Sequence, residues 1–205
     1  ITNRASASLA SISGAFQPMR LNALSYYADF YLSGVMILVL AASEVWTDAP
    51  TQILAAFLFV ATGFATWTLI EYLVHRLLYH NVAYFRGLHD AHHAEPNAFI
   101  GAPPVVGVVL ICLITYVPLM PFSDLAAAFM TSGMLFGYMA YMLLHHAAHY
   151  WNLPVDSWLY HARRHHALHH YHHVEGNYGI TTALWDHVFG SAIEPRRSFP
   201  REKTR

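Results

Sequence analysis

The sequence predicts an all-α integral membrane protein: a bundle of four transmembrane helices with a histidine-rich dinuclear metal site. Three observations carry that expectation. Of 205 residues, 56% are hydrophobic and only 11% charged. Four apolar runs approach the roughly 20 helical residues needed to cross about 30 Å of hydrocarbon. Ten of the sixteen histidines fall into four short clusters next to those runs, His75/His80, His89/His92/His93, His145/His149 and His166/His169/His170. Neutral imidazole is the commonest biological metal ligand, and ten are too many for one ion but suit two.

Taken along the chain, residues 1–28 combine Ser and Ala with a few large apolar residues. They read as an interfacial segment and lack the hydrophobic core of a signal peptide. Residues 29–205 are expected to form one membrane-embedded domain. The first crossing is placed at about 27–46, where Ser33, Gly34 and Ser43 interrupt it, and the second at about 53–74. The third, about 102–120, has Pro103, Pro104 and Pro118 near its ends, where proline costs least. Pro121-Phe122-Ser123-Asp124 turns the chain into the fourth, about 125–144. Residues 75–101 and 145–194 lie outside the runs and carry the histidine clusters. A soluble helical bundle is the competing reading, and the scarcity of charge in the runs opposes it. The lone Cys112 rules out a disulfide framework and is expected to pack.

Charge distribution predicts the orientation. Neither expected outer turn, Thr47–Thr51 or Pro121–Asp124, holds a basic residue. All eleven Lys and Arg residues then fall on the cytoplasmic side, together with both termini and all four histidine clusters. The third and fourth crossings leave that face and return to it between clusters, so distant histidines become neighbours. A metal-soaking histidine tract would have no reason to straddle such a hairpin. Tyr150-Trp151 and Trp158–Tyr160 read as interfacial aromatics, and Arg196–Arg205 as a basic tail against lipid headgroups.

At about 100° per residue, each trio of histidines spans about 100° of a helix, and His145 and His149 stack one turn apart. His75 and His80 diverge by about 140° on a regular helix, which suits two different metals or an unwound turn. His-Glu-x-x-His, Cys-x-x-Cys-His and the Glu-x-x-His pairs of carboxylate-bridged di-iron bundles are all absent. A nearly all-imidazole pair remains, which iron would use for dioxygen chemistry and which zinc or copper could also occupy.

The run Glu71-Tyr72-Leu73-Val74-His75-Arg76-Leu77-Leu78-Tyr79-His80, then Leu88-His89-Asp90-Ala91-His92-His93-Ala94-Glu95-Pro96, resembles the first two histidine boxes of the fatty acid hydroxylase and sterol desaturase family. His166-Ala167-Leu168-His169-His170-Tyr171, Asn177-Tyr178-Gly179-Ile180-Thr181 and Leu184-Trp185-Asp186-His187-Val188-Phe189-Gly190 are similar to the end of that family's domain. The likeness is strongest to the fatty acid hydroxylases. It implies a membrane di-iron monooxygenase, with a cytosolic helical cap (residues 75–101 and 145–194) over the metals, that hydroxylates an unactivated carbon of a lipid acyl chain, with 2-hydroxylation as the specific expectation. It also implies dioxygen, two iron ions, and electrons from a separate protein of cytochrome b5 or ferredoxin type. The ligand set it implies is His75, His80, His89, His92, His93, His145, His149, His166, His169 and His170. His146, His161, His165, His172 and His173 are overlapping alternatives. His89 and His92 could share one ion, with His93 on the other.

Metal-bound histidines donate their second nitrogen to a carboxylate or carbonyl. Glu71, Asp90 and Asp186 lead the candidates, with Glu95, Asp156 and Glu175 behind them. An acyl tail could pass Phe57, Phe59, Phe64, Trp67, Phe136 and Tyr138, although such aromatics also pack ordinary helices. Sterol desaturation, carotenoid hydroxylation, metal transport and non-catalytic metal binding are the alternatives. Transporters place ligands near the midplane on broken helices, whereas these histidines keep to the ends of the runs. No nucleic-acid partner is expected.

Overall fold

In a computed structural model of the chain, residues 20–45, 52–101 and 103–193 are described. The expectations for residues 1–19, for the first outer turn and for the basic tail lie outside them. The described chain is helical: α1 (Ala23–Val45), α2 (Ile53–Leu73), α3 (Ala83–Ala94), α4 (Val106–Ile111), α5 (Val117–Leu119), α6 (Asp124–Tyr150), α7 (Trp158–Tyr171) and α8 (Leu184–Val188). Two π-helical turns, Val74–Tyr79 after α2 and Cys112–Tyr116 between α4 and α5, complete it.

Three helices are long and apolar enough to cross a membrane: Ala23–Glu44, Ile53–Tyr79 and Asp124–Tyr150. Their outward faces are greasy; Val35, Leu38, Leu54 and Phe57 are all more than half exposed, as lipid-facing side chains should be. The third expected crossing is only Val106–Leu119, roughly 20 Å at 1.5 Å per residue. Its sequence explains the shortening. Pro103 and Pro104 precede a left-handed Val105 (φ 75°) that delays the helix start. Pro118 would clash with a carbonyl one turn back, and the preceding π turn widens the backbone there. Among the described residues, therefore, three membrane-length helices and one shorter apolar helix stand where four crossings were expected.

Helices α2 and α6 form the spine, and they meet through glycine. A Cβ on Gly63 would lie 2.1 Å from the Met130 carbonyl oxygen, and one on Gly133 2.2 Å from that of Val60. The two backbones are in contact, the geometry that small residues permit between membrane helices. One turn on, Gly137 receives the Trp67 ring. Helix α6 is capped by Ser123, whose hydroxyl accepts from the Ala126 amide at 3.1 Å. Around the spine pack Leu40, Val108, Ile111, Met134 and Leu135.

This crossing brings the C-terminal ends of α2 and α6 together, and with them His75 and His145. Neither histidine begins a separate cap: α2 runs unbroken through its π turn to Tyr79, and α6 continues to Tyr150. The site is built on the ends of the long helices, with α3 and α7 packed across them.

Candidate metal centre

Ring nitrogens converge in two groups. His75, His80, His89 and His169 form one, and His92, His145, His149, His166 and His170 the other; within each, the candidate donor atoms lie within 4.8 Å of one another. His93 belongs to neither by that measure and stands between them, its Nε2 3.1 Å from that of His169 and its ring stacked on His170 with centroids 4.0 Å apart. All ten histidines named from the sequence are thus brought to one end of the bundle.

The π turn explains why His75 and His80 share a group. In i→i+5 bonding, residues five apart are one turn apart and face the same way, so the 140° divergence of a regular helix disappears. His89 and His92 fall in different groups, unlike the shared ion expected for them.

The overlapping candidates go elsewhere. His146 stacks on Tyr150 (4.4 Å) and belongs to neither group. His165 faces Asp186 (3.1 Å). His161 is exposed, and His172 and His173 stack on each other beyond the end of α7.

Two rings have their orientation set by carbonyls. His75 Nδ1 donates to the Tyr178 oxygen at 2.6 Å, and His169 Nδ1 to the Gly176 oxygen at 2.9 Å. A carbonyl only accepts, so both Nδ1 atoms carry the proton and both Nε2 atoms present lone pairs. Those Nε2 atoms face each other at 3.0 Å. Across both groups, neighbouring Nε2 atoms stand 3.0–3.3 Å apart. His80 Nε2 and both nitrogens of His170 are buried with no hydrogen-bond partner among the described residues. The facing lone pairs of His75 and His169 repel unless a cation lies between them. A proton is a poor candidate, because burial and the neighbouring rings hold His92 and His169 down to about 3 and His93 to about 4. His166 lies well below the ordinary imidazole value for the same reasons. The donor set fits metal ions.

The carbonyls are held by a short, rigid loop. Asn177, fully buried with φ 56°, donates to the His165 oxygen and accepts from the Ile193 amide. A side chain at Gly176 or Gly179 would meet backbone at 2.4 or 2.2 Å. Asp186, fully buried, accepts from the Tyr178 and Gly179 amides (2.8 and 2.9 Å), the Ser191 hydroxyl (2.8 Å) and His165 Nε2–H. Burial pushes its pKa up, but these donors outweigh burial and hold it below the ordinary carboxylate value. Glu71 accepts from the Ile180 and Thr181 amides and the Thr181 hydroxyl. Neither carboxylate touches a converging ring; each secures the loop whose carbonyls do. Asp90 pairs with Arg86 (3.6 Å) and Glu95 with Arg20 (2.6 Å), both exposed, while Asp156 is exposed in a loop. Glu175 lies 4.0 Å from His80 Nδ1.

A cavity of about 400 Å³ opens beside His92 and His145, between α1 and α6, with Tyr26, Tyr27, Tyr138 and Tyr141 in its wall. Of the six aromatics proposed along a lipid path, only Tyr138 lines it. Phe57 and Phe136 face outward, both more than half exposed. The polar floor formed by Asp29, which accepts from the Tyr138 hydroxyl at 2.8 Å and from the Val105 amide, was not singled out from sequence. An acid inside an apolar run was its only signal.

The model of the fatty acid hydroxylase family matches residues 60–191. The chain is 34% identical over 145 residues to a dihydroceramide fatty acyl 2-hydroxylase, FAH2, of Arabidopsis thaliana, covering 65% of this chain and 60% of that protein. It is 35% identical over 159 residues to a ceramide very long chain fatty acid hydroxylase, SCS7, of Saccharomyces cerevisiae, covering 70% and 40%. It also resembles a solved structure described as full length scs7p with only the hydroxylase domain visible, with a TM-score of 0.68, 26% identity, and coverage of 88% of this chain and 73% of that one. The chain spans about half the length of the curated relatives it matches.

Proposed function

The chain belongs to the fatty acid hydroxylase family, and on that premise we propose that it is an integral membrane, dioxygen-dependent di-iron enzyme that hydroxylates carbon 2 of a lipid acyl chain. The observation that carries this reading is the juxtaposition of two convergent imidazole groups with a cavity of about 400 Å³ at His92 and His145. The names of the relatives, fatty acyl and ceramide hydroxylases, support the substrate class.

His75, His80, His89 and His169 would hold one ion, and His92, His145, His149, His166 and His170 the other, with His93 available to either. Nitrogens about 2.1 Å from a shared ion stand about 3.0 Å apart at a right angle and about 3.4 Å apart at a tetrahedral one. The observed spacings of 3.0–3.3 Å fall within that interval, so neighbouring rings are close enough to share an ion. The five imidazoles of the second group favour an ion with more than four positions over a closed tetrahedral zinc site. When bound, the iron pair would supply dioxygen activation and removal of hydrogen from an unactivated carbon, chemistry that no side chain possesses.

The protein's own groups do the rest. Burial keeps His92 and His169 neutral, so their lone pairs are free at physiological pH. The Tyr178 and Gly176 carbonyls lock the tautomers of His75 and His169. The cavity wall excludes water and confines the acyl chain, a placement that lowers the entropic part of the barrier. The phenols of Tyr26, Tyr27 and Tyr141 offer donors for the polar end of the substrate beside His92 and His145. Anchoring that end there would bring the second carbon, rather than a distal methylene, to the metals.

Arg76, Arg86, Arg163 and Arg164 lie on segments at the histidine end, supporting a cytoplasmic location for the site. Electrons would come from a separate redox protein of cytochrome b5 or ferredoxin type. The test is expression in a lipid-producing host under oxygen, with mass spectrometry of the lipids and metal analysis of the purified protein. A 2-hydroxyacyl lipid that is absent from the His92→Ala, His93→Ala double variant is expected. Unchanged lipids with raised cellular metal would overturn the reading in favour of transport.

A further inference from the structure

Four aromatic rings form a continuous file from the metal centre into the membrane. Tyr141 stacks on His145 at 5.8 Å with an interplanar angle of 6°, and Tyr138 is 6.3 Å from Tyr141 and nearly parallel at 12°. The Trp67 ring lies 5.0 Å from Tyr138 and 6.2 Å from Tyr141. Tyrosine and tryptophan are the two side chains that give up an electron most readily, and rings this close pass one between them. A phenol is oxidised easily only if its proton has an acceptor, and the Tyr138 hydroxyl donates to Asp29 at 2.8 Å. The Trp67 indole N–H is buried without a partner among the described residues, so hydrogen bonding does not account for its position. Tyr138 and Tyr141 also line the cavity, so they are what the centre faces when no acyl chain fills it.

We propose that Tyr141, Tyr138 and Trp67 form a relay that carries oxidising equivalents away from the histidine ligands when oxygen is activated without substrate. The inference rests on the oxygen-dependent reading above; the oxidant is the oxygen-activated metal centre itself. One electron leaves Tyr138 through Tyr141 and His145 and reduces the centre by one equivalent. The phenolic proton passes to Asp29 Oδ2, leaving a neutral tyrosyl radical. An electron from an external reductant, with the proton returning from Asp29, restores the phenol. Bound substrate competes by supplying its own hydrogen atom.

The test uses iron-loaded protein in lipid nanodiscs, with a chemical reductant, oxygen and no acyl substrate, sampled by freeze-quench electron paramagnetic resonance. A transient radical is expected that changes its hyperfine pattern with ring-deuterated tyrosine and is suppressed by substrate. The Tyr138→Phe, Tyr141→Phe double variant should lose most of that signal and add oxygen to its His145 peptide several-fold faster per oxygen consumed. Should that variant fail to bind iron, Asp29→Asn decides. Its amide oxygen can still accept from Val105, but its NH2 faces the phenol and cannot take a proton, so radical yield should fall several-fold. Hydroxylated lipid from the wild type without a tyrosyl radical, or a radical unchanged in the variants, overturns the relay and leaves the hydroxylase reading standing. Neither oxygen consumption nor product overturns both.

Discussion

Replacing Asp186 by Asn should loosen the metal centre without touching a ring that points into it. Asp186 Oδ1 accepts from the Tyr178 amide and Ser191, and Oδ2 from the Gly179 amide and His165. Asparagine has one oxygen and one NH2, so whichever way it turns, one of the two buried amides meets a donor. An unsatisfied buried amide costs about 1–3 kcal/mol, and the lost charge weakens the remaining bonds. The strain falls on Tyr178, whose carbonyl orients His75 at 2.6 Å. Loss of such an orienting partner typically costs about 10- to 100-fold in metal affinity. The donors that hold Asp186 below its ordinary pKa keep it ionised throughout pH 5 to 8, so the loss should be the same across that range. The assay is chelator titration of the purified, metal-loaded protein, with bound metal counted by mass spectrometry. A variant that retains two ions per chain at the wild-type chelator midpoint would refute a positioning role for Asp186.

Acidification should destabilise the metal-free protein through its histidines. Burial lowers His92 and His169 to about 3 in the folded state, against about 6.5 unfolded. Below pH 6.5 the unfolded chain therefore binds protons that the native state refuses, and stability falls with falling pH by about 1.4 kcal/mol per unit for each such group. Stability is complete above pH 6.5 and is lost progressively down to about 3; a denaturation midpoint in detergent that does not move between pH 7 and 5 would contradict this. Gly63→Ala places a methyl 2.1 Å from the Met130 carbonyl oxygen, so α2 and α6 must separate. Because their ends carry His75 and His145, metal stoichiometry should fall with thermal stability, whereas Gly34→Ala, with its nearest neighbour 3.8 Å away, should change neither.

What the sequence discloses here, and what it hides, follows from where each kind of information resides. Apolar runs show themselves by length, so α1, α2 and α6 are legible within a few residues of their ends. The third run is just as apolar, but its helix is cut short by the left-handed Val105, and composition carries no trace of a backbone angle. The converging histidines are legible because metal binding needs that side chain at helical intervals. The choice of His145 over His146 is not legible, since neighbours differ by about 100° and only the crossing of α2 with α6 decides which one faces inward. The π turn likewise escapes a 3.6-residue reading, and with it the pairing of His75 and His80. The deepest omission concerns the groups that orient the rings. Glu71 and Asp186 are natural candidates because carboxylates commonly hold metal-bound imidazoles, yet both act one bond further out, through amides of residues 178–181. Every residue has a carbonyl, so no residue type advertises that Gly176 and Tyr178 present theirs to His169 and His75. The sequence signature of an orienting carbonyl is indirect: two glycines with no room for a side chain, a buried asparagine at positive φ, and two acids that accept from the loop's amides.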